Sequence, residues 1–242
     1  MKFYYKTDYA LRASDFDMNR KIKISSVLDL FQSAAGAHSD IMGCGFYDLL
    51  PKDMLWVLTK TRYVVRKSPS VYEKVSVETW PLVRKGVTYR REYRVTGENS
   101  EVYILGTSEW VIMNLNTRKL DFSGNAYPEG EFMDELSYPE EKIRKVFVKM
   151  DNPYSEKTVP AFCDIDSNKH VNNIHYARYC QNMKLPYPVG EVSEFAIDYH
   201  KELLPSDECT LFASEIDGKI HYHGESSNGE NIFDAMISYN FN

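Results

Sequence analysis

One pattern, Asp-x-Asn-basic-basic-aliphatic ahead of an apolar-periodic run, occurs twice in this 242-residue chain. It stands at residues 16–34, FDMNRKIKISSVLDLFQSA, and again at 165–183, IDSNKHVNNIHYARYCQNM. A constant offset, that of Asp17 to Asp166, lays Asn19 on Asn168 and Lys21 on His170. Val27, Leu30, Phe31 and Ala34 have the i, i+3, i+4, i+7 spacing of a helix's buried face. The same offset takes them to Tyr176, Tyr179, Cys180 and Met183, so a second helix of the same phase is expected. Ser26 with Asp29 three residues on is read as the first helix's start signal. A duplicated chain must fold as two copies of one unit.

Strand-like runs follow each helix: 55–67, 74–80, 86–96 and 102–115 in the first half, then 194–204, 208–216, 219–225 and 231–241 in the second. In the first run Val57, Thr59, Thr61, Tyr63 and Val65 are read onto one face. In the last, Phe233, Ala235, Ile237, Tyr239 and Phe241 alternate. Asp217-Gly218 and Asn228-Gly229 are hairpin signals, and 96–101 plays the same part earlier. Each half therefore reads as a short leading strand, one long helix and about four antiparallel strands in a meander. A lone amphipathic helix can bury its stripe only against that sheet. The expected class is α+β, a tandem or double hotdog, each half an antiparallel sheet wrapped around a central helix. The expected boundaries are 1–120 for the N-terminal, substrate-tunnel half, 121–157 for a Pro-, Gly- and charge-rich linker with a short helix at 139–146, and 158–242 for the C-terminal, catalytic half.

Composition narrows the function. A net charge of −6 lacks the basic footprint of a nucleic-acid binder. No apolar run approaches the roughly 20 residues of a membrane span. The opening MKFYYKTDYALRASD has no apolar signal core, so a cytoplasmic protein is expected. Cys44, Cys163, Cys180 and Cys209 are scattered without CxxC spacing, which argues against a zinc site or a disulfide framework; no metal or cofactor is expected.

The chemistry concentrates in DIDSNKHVNN, 164–173. Read as extended, the segment points Asp166, Asn168 and His170 to one side, just ahead of a helix N-terminus with its unpaired N–H groups. Capping alone explains Asp, Asn and Ser before a helix, yet the first copy has Lys21 where the second has His170. A second anchor, Pro69 on Pro205, lays Tyr63 on Tyr199 and Arg66 on Glu202. The second half then carries an imidazole and a carboxylate where the first carries two cations.

These residues also carry a resemblance. Asp-x-Asn-x-His-Val-Asn-Asn at 166–173 resembles the catalytic motif of the acyl-acyl carrier protein thioesterases, the plant fatty-acyl type with bacterial relatives. YHKELLP at 199–205 is similar to that family's Tyr-x-x-Glu-Cys segment, and residues 55–81 to its first-half signature of Trp-Val-x-Thr, a Tyr/Val-rich strand and Thr-Trp. The resemblance implies a double hotdog that hydrolyses fatty acyl thioesters on acyl carrier protein (ACP), terminating fatty acid synthesis, with Asp166, Asn168, His170 and Glu202 catalytic. The family's cysteine is Leu203 here, so a cysteine nucleophile at that position cannot operate. Cys163 and Cys180 near the motif are read as buried and inert.

On this reading Glu202 and His170 activate water, Asn168 with a helix N–H polarises the carbonyl, and Asp166 orients them. Trp56, Leu58, Trp80, Leu30, Phe31 and Ala34 are candidates to line an acyl tunnel. The partner is ACP bearing a fatty acyl phosphopantetheine thioester; Arg84-Lys85, Arg90-Arg91 and Lys142-Arg144-Lys145 are candidate docking patches. The alternatives are an acyl-CoA thioesterase, a hotdog hydratase or dehydratase, and a non-catalytic acyl-binding module. The biological unit is a monomer, itself a pseudo-dimer, or a homodimer.

Overall fold

A computed structural model of the chain describes residues 3–125, 128–187 and 190–241. Residues 1–2, 126–127, 188–189 and 242 fall within the segments assigned above and lie outside the described residues. Two compact units divide the chain, Met1–Glu141 and Lys142–Asn242. The division falls inside the segment read as a linker, whose two parts pack onto the units on either side. No helix forms at 139–146; the chain there is irregular, with Ile143 and Val146 buried.

In the first unit β1 (Tyr5–Ala10) leads to α1 (Ile24–Ile41), the single-turn α2 (Phe46–Leu49), β2 (Met54–Val65), β3 (Lys74–Pro81), β4 (Tyr89–Thr96) and β5 (Val102–Asn114). The strands are ordered β1-β3-β4-β5-β2, all antiparallel. In the second unit β6 (Tyr154–Thr158), α3 (Asn173–Asn182), β7 (Glu191–Tyr199), β8 (Cys209–Ile216), β9 (Lys219–Ser226) and β10 (Asn231–Asn240) follow. Their order, β6-β8-β9-β10-β7, is the same topology. The expected meander holds for only three strands of each unit. β2 and β7 skip their successors and pair with the last strand, because the connections after them carry Pro69 and Pro205 rather than a two-residue hairpin turn. The Asp217-Gly218 turn does behave as expected, with both residues at positive φ (53° and 74°) and Ile216 paired with Lys219.

The helices bury the predicted stripes: Val27, Leu30, Phe31 and Ala34 on α1, and Tyr176, Tyr179, Cys180 and Met183 at the matching places in the second unit. α1 begins at Ile24, after Lys23, so Ser26 is not its cap. α3 ends after 10 residues against 18 for α1. Pro186 follows closely and disfavours helical backbone before it. A bulge between Leu58 and Lys60 breaks the alternation of β2. It moves Trp56 and Leu58 onto the helix-facing side with Thr61 and Tyr63 and takes Val57 off it.

Phe31 stacks on Tyr93 at 4.3 Å and meets Tyr63 edge-on at 6.2 Å. It also sits on Gly106, where a Cβ would come within 2.4 Å of its ring. The ring therefore seats against bare backbone, and only glycine fits beneath it. Phe31→Ala should cost about 3–5 kcal/mol, read as a lower urea midpoint at unchanged slope.

Candidate active site

The motif is a tight turn rather than an extended segment. Ile165 and Val171 form an isolated bridge. Asp166 N donates to His170 O (2.9 Å), Lys169 N to Asp166 O (3.0 Å), and Asn168 N to Asp166 Oδ1 (2.8 Å), with Lys169 at φ 66°. The first copy folds identically: Phe16 bridges Ile22, Asp17 N donates to Lys21 O, Asn19 N to Asp17 Oδ1, and Arg20 takes φ 60°. Asp17 and Asp166 are thus turn-formers, each spending a carboxylate oxygen on its own loop. Asn168 is exposed at the turn, and His170 leaves it partly buried.

Leu203 brings the second ingredient. Its carbonyl accepts from Val171 N (2.9 Å) and its N–H donates to the Tyr176 hydroxyl (3.0 Å). The neighbouring side chains then meet: His170 Nε2 lies 3.4 Å from Glu202 Oε2. Each is about one-third exposed, 31% and 34%, so water reaches both. Tyr199 at the end of β7 donates to Asn173 O (3.1 Å), fixing the strand exit to the first turn of α3. Asn172 is that helix's N-cap, its side chain accepting from Ile174 N (3.1 Å).

The strand register corrects one alignment. Arg66 and Lys67 N–H groups share the carbonyl of Tyr103, as those of His200 and Lys201 share that of Ile232. Val65 pairs with Ile104 as Tyr199 pairs with Phe233. So Arg66 matches His200, and Glu202 matches Ser68 rather than Arg66. The first unit still lacks a carboxylate at this place, and Lys21 still stands where His170 does.

Two networks brace the site, and sequence reasoning missed both. Asp164, buried, accepts from Ala161 N (2.9 Å) and Tyr179 OH (2.8 Å) and lies 3.2 Å from His175 Nδ1. Its signal was present: Asp15 accepts from Arg12 N in the first copy, and Lys23 N reaches Asp15 O as Asn172 N reaches Asp164 O. On the sheet face away from α3, buried Asp234 receives His200 Nε2 (2.8 Å), His223 Nδ1 (2.6 Å) and Asn231 Nδ2 (3.0 Å). Burial would raise the Asp234 pKa, but these hydrogen bonds outweigh it and hold the carboxyl well below the usual range. His223 Nε2 lies 3.1 Å from Glu225. An imidazole with a carboxylate at each nitrogen satisfies both only as imidazolium, and the Asp234 hydrogen bond raises its pKa against burial.

Of the tunnel candidates, Leu30, Phe31 and Ala34 are core residues under the sheet, and Trp56 is partly buried against Tyr89. Trp80 lies on the opposite face of its strand from them, its indole donating to Glu135 O (2.9 Å) beside Arg94. Arg91 is buried against His38 (2.9 Å), and Arg90 is bound to Glu92 and to the Glu140 carbonyl, so that pair is no docking patch. Lys142, Arg144 and Lys145 are exposed. Cys163 is exposed rather than buried, whereas burial pushes the Cys44 thiol up to about 11, Cys209 to about 12 and Cys180 well above its ordinary value. Among the described residues no cluster of three or more metal ligands occurs, and no helix is long and apolar enough to cross a membrane.

Comparison with known proteins decides the family. The profile of the acyl-ACP thioesterase N-terminal domain matches residues 2–122, and that of the C-terminal domain matches 148–240. The chain belongs to the acyl-ACP thioesterase family. It is 27% identical over 217 residues to a chloroplastic palmitoyl-acyl carrier protein thioesterase of Gossypium hirsutum, and 25% identical over 234 to an oleoyl-acyl carrier protein thioesterase of Coriandrum sativum. These matches take in 82% and 88% of this chain but 52% and 63% of the relatives, so it spans about half to two-thirds of their length. A crystal structure of an acyl-ACP thioesterase from Bacteroides thetaiotaomicron shares the fold, with a TM-score of 0.84, 22% identity and 98% of each chain covered. The 12:0-ACP thioesterase of Umbellularia californica also scores 0.84 at 22% identity, over 98% of this chain and 97% of its own. The double hotdog expected from the sequence is the fold of the family.

The His223 assignment has a thermal consequence. A raised histidine pKa stabilises fully below about pH 6.5 and fades as pH rises through the native value. His223→Asn keeps a donor toward Asp234 but cannot titrate. The melting-temperature gap between wild type and variant should therefore shrink as pH rises above about 6.5; a gap constant with pH contradicts the imidazolium.

Proposed function

We propose that this chain hydrolyses fatty acyl thioesters carried on acyl carrier protein, giving free fatty acid and the carrier thiol and so ending chain growth. The observation that carries this reading is the water-accessible pairing of His170 with Glu202 at the start of α3, in a chain of this family. Water, bound beside the imidazole–carboxylate pair, attacks the thioester carbonyl while the pair takes its proton. The tetrahedral intermediate collapses and expels the thiolate. With a thiol pKa of about 8.5, the leaving group needs little help from an acid.

The oxyanion needs donors. Asn168 is assigned that role together with the first turn of α3, whose leading N–H groups have no intrahelical acceptor. Asp166 acts by shaping the turn that presents Asn168 and His170. Leu203 is fully buried, so the residue after Glu202 packs the core, which supports attack by water. An acyl chain gains about 0.8 kcal/mol per buried CH₂, and its chamber is assigned to the first unit, with Trp56 and Leu58 as lining candidates. The residues found packed in the core or on the outer face, Phe31 and Trp80 among them, are less suited to that role.

His170→Ala and Glu202→Ala should each lower kcat/KM by about 100-fold or more, followed as thiol release from acyl-ACP; near-full turnover in either would overturn the assignment. Comparing one acyl group on ACP and on CoA separates the two thioesterase readings, and water addition without thiol release would mark a hydratase. ACP is acidic, so reversing Lys142, Arg144 and Lys145 to Glu should slow the ACP reaction more than the CoA reaction, and less so at high salt.

A further inference from the structure

Glu202 is only as well placed as the five-residue exit of β7 that carries it. Four of those residues are tied down: Tyr199 to Asn173 O, Lys201 to Glu230, Leu203 to Tyr176 and Val171, and His200 to Asp234. The first three hold the exit to α3, to the turn carrying Glu230 and to the motif. His200 ties it to the opposite face of the sheet, at a carboxylate that is 2% exposed. The His200 and Lys201 N–H groups both reach Ile232 O, two residues before Asp234, so the backbone and the side chain pull on the same stretch of β10.

Asp234 is an unusual element to find beneath such a turn. A buried carboxylate is costly unless fully hydrogen-bonded, and this one collects two imidazoles and an amide. Glu225 in turn holds the far nitrogen of His223, and the ring of Phe147 meets that imidazole edge-on at 5.9 Å. The counterpart of His200 in the first unit is Arg66, in a copy that has neither the imidazole nor the carboxylate of the site.

We propose that Asp234 is a positioning residue for Glu202, acting through His200, with His223 and Glu225 fixing the Asp234 carboxylate in the orientation this requires. The proposal rests on the hydrolase reading above and adds to it a network on the far side of the sheet. Its role is to set the rotation of the 200–203 exit, and with it the distance from Glu202 to His170. The group that bonds Asp234 is His200 Nε2, and the amide of a glutamine reaches the same place with a donor, whereas leucine does not.

The test is the pair His200→Leu and His200→Gln in the full chain. Misplacing a catalytic group by about 1 Å can cost up to 100-fold, so His200→Leu should lower kcat about tenfold or more with KM within about twofold, and His200→Gln should restore most of it. Asp234→Leu, if it folds, removes the acceptor and should resemble His200→Leu. A second readout needs no turnover: the His170 ring resonances should shift in His200→Leu and stay in place in His200→Gln. Wild-type kcat in a folded His200→Leu, or an equal loss in His200→Gln, would overturn the proposal. If the wild-type chain releases no thiol from any acyl carrier, the hydrolase reading fails instead, and the resonance comparison still decides whether His200 sets the His170–Glu202 contact.

Discussion

Leu203 is the joint on which the site depends. Its carbonyl holds Val171 and its N–H holds the Tyr176 hydroxyl, so a turn before α3 and an exit after β7 are fastened to each other at one residue. Remote in sequence, His170 and Glu202 are each the immediate neighbour of a fastened residue, and their meeting follows. Burial of Tyr176 pushes its hydroxyl pKa well up, so the group that accepts from Leu203 N is a neutral phenol. The Tyr176 ring meets Tyr199 and Phe233 edge-on at 5.5 and 5.4 Å. The same side chain therefore anchors the helix to the sheet and holds the exit that carries Glu202.

Duplication explains why so much machinery surrounds so small a difference. The Asx turn, the bridge beneath it, the 3₁₀ turn ahead of it and the shared carbonyl at the strand exit recur in both units. They are scaffold, and they persist where Lys21 and Ser68 stand in place of the pair proposed to activate water. What the second unit adds is His170, Glu202, an Asn cap on a shorter helix, the burial of Asp164 against Tyr179 and His175 where Asp15 is only partly buried, and Asp234 with its three donors. Electrostatic preorganisation of this kind relies on fixed partners more than on raw charge.

The legible parts of the sequence were those governed by period. Helical stripes and strand alternation report a residue's side of an element: Val27, Leu30, Phe31 and Ala34 are buried as read, and so are Phe233, Ala235 and Ile237, whereas a register shift after Ser238 ends that face and leaves Phe241 exposed. Hydrogen-bond register is invisible to period. The bulge at Leu58 re-sorted β2, the crossover to β5 and β10 replaced a simple meander, and the match of Glu202 moved from Arg66 to Ser68. Trp80 was misjudged for a related reason: on a strand covered on both faces, burial does not say which face. The motif was found by composition but mistaken in shape, because Asp-x-Asn reads equally as an extended run or as an Asx turn. The Asp234 network left no local signal at all, since its members come from three strand segments.

The central claim is that His170 and Glu202 act as one unit on water. The most direct measurement is a double-mutant cycle on acyl-ACP hydrolysis with His170→Ala, Glu202→Ala and the pair. Groups that work only together give a double variant about as slow as the slower single one. That result is predicted here; losses that multiply would mean the two residues act independently, and would contradict the account.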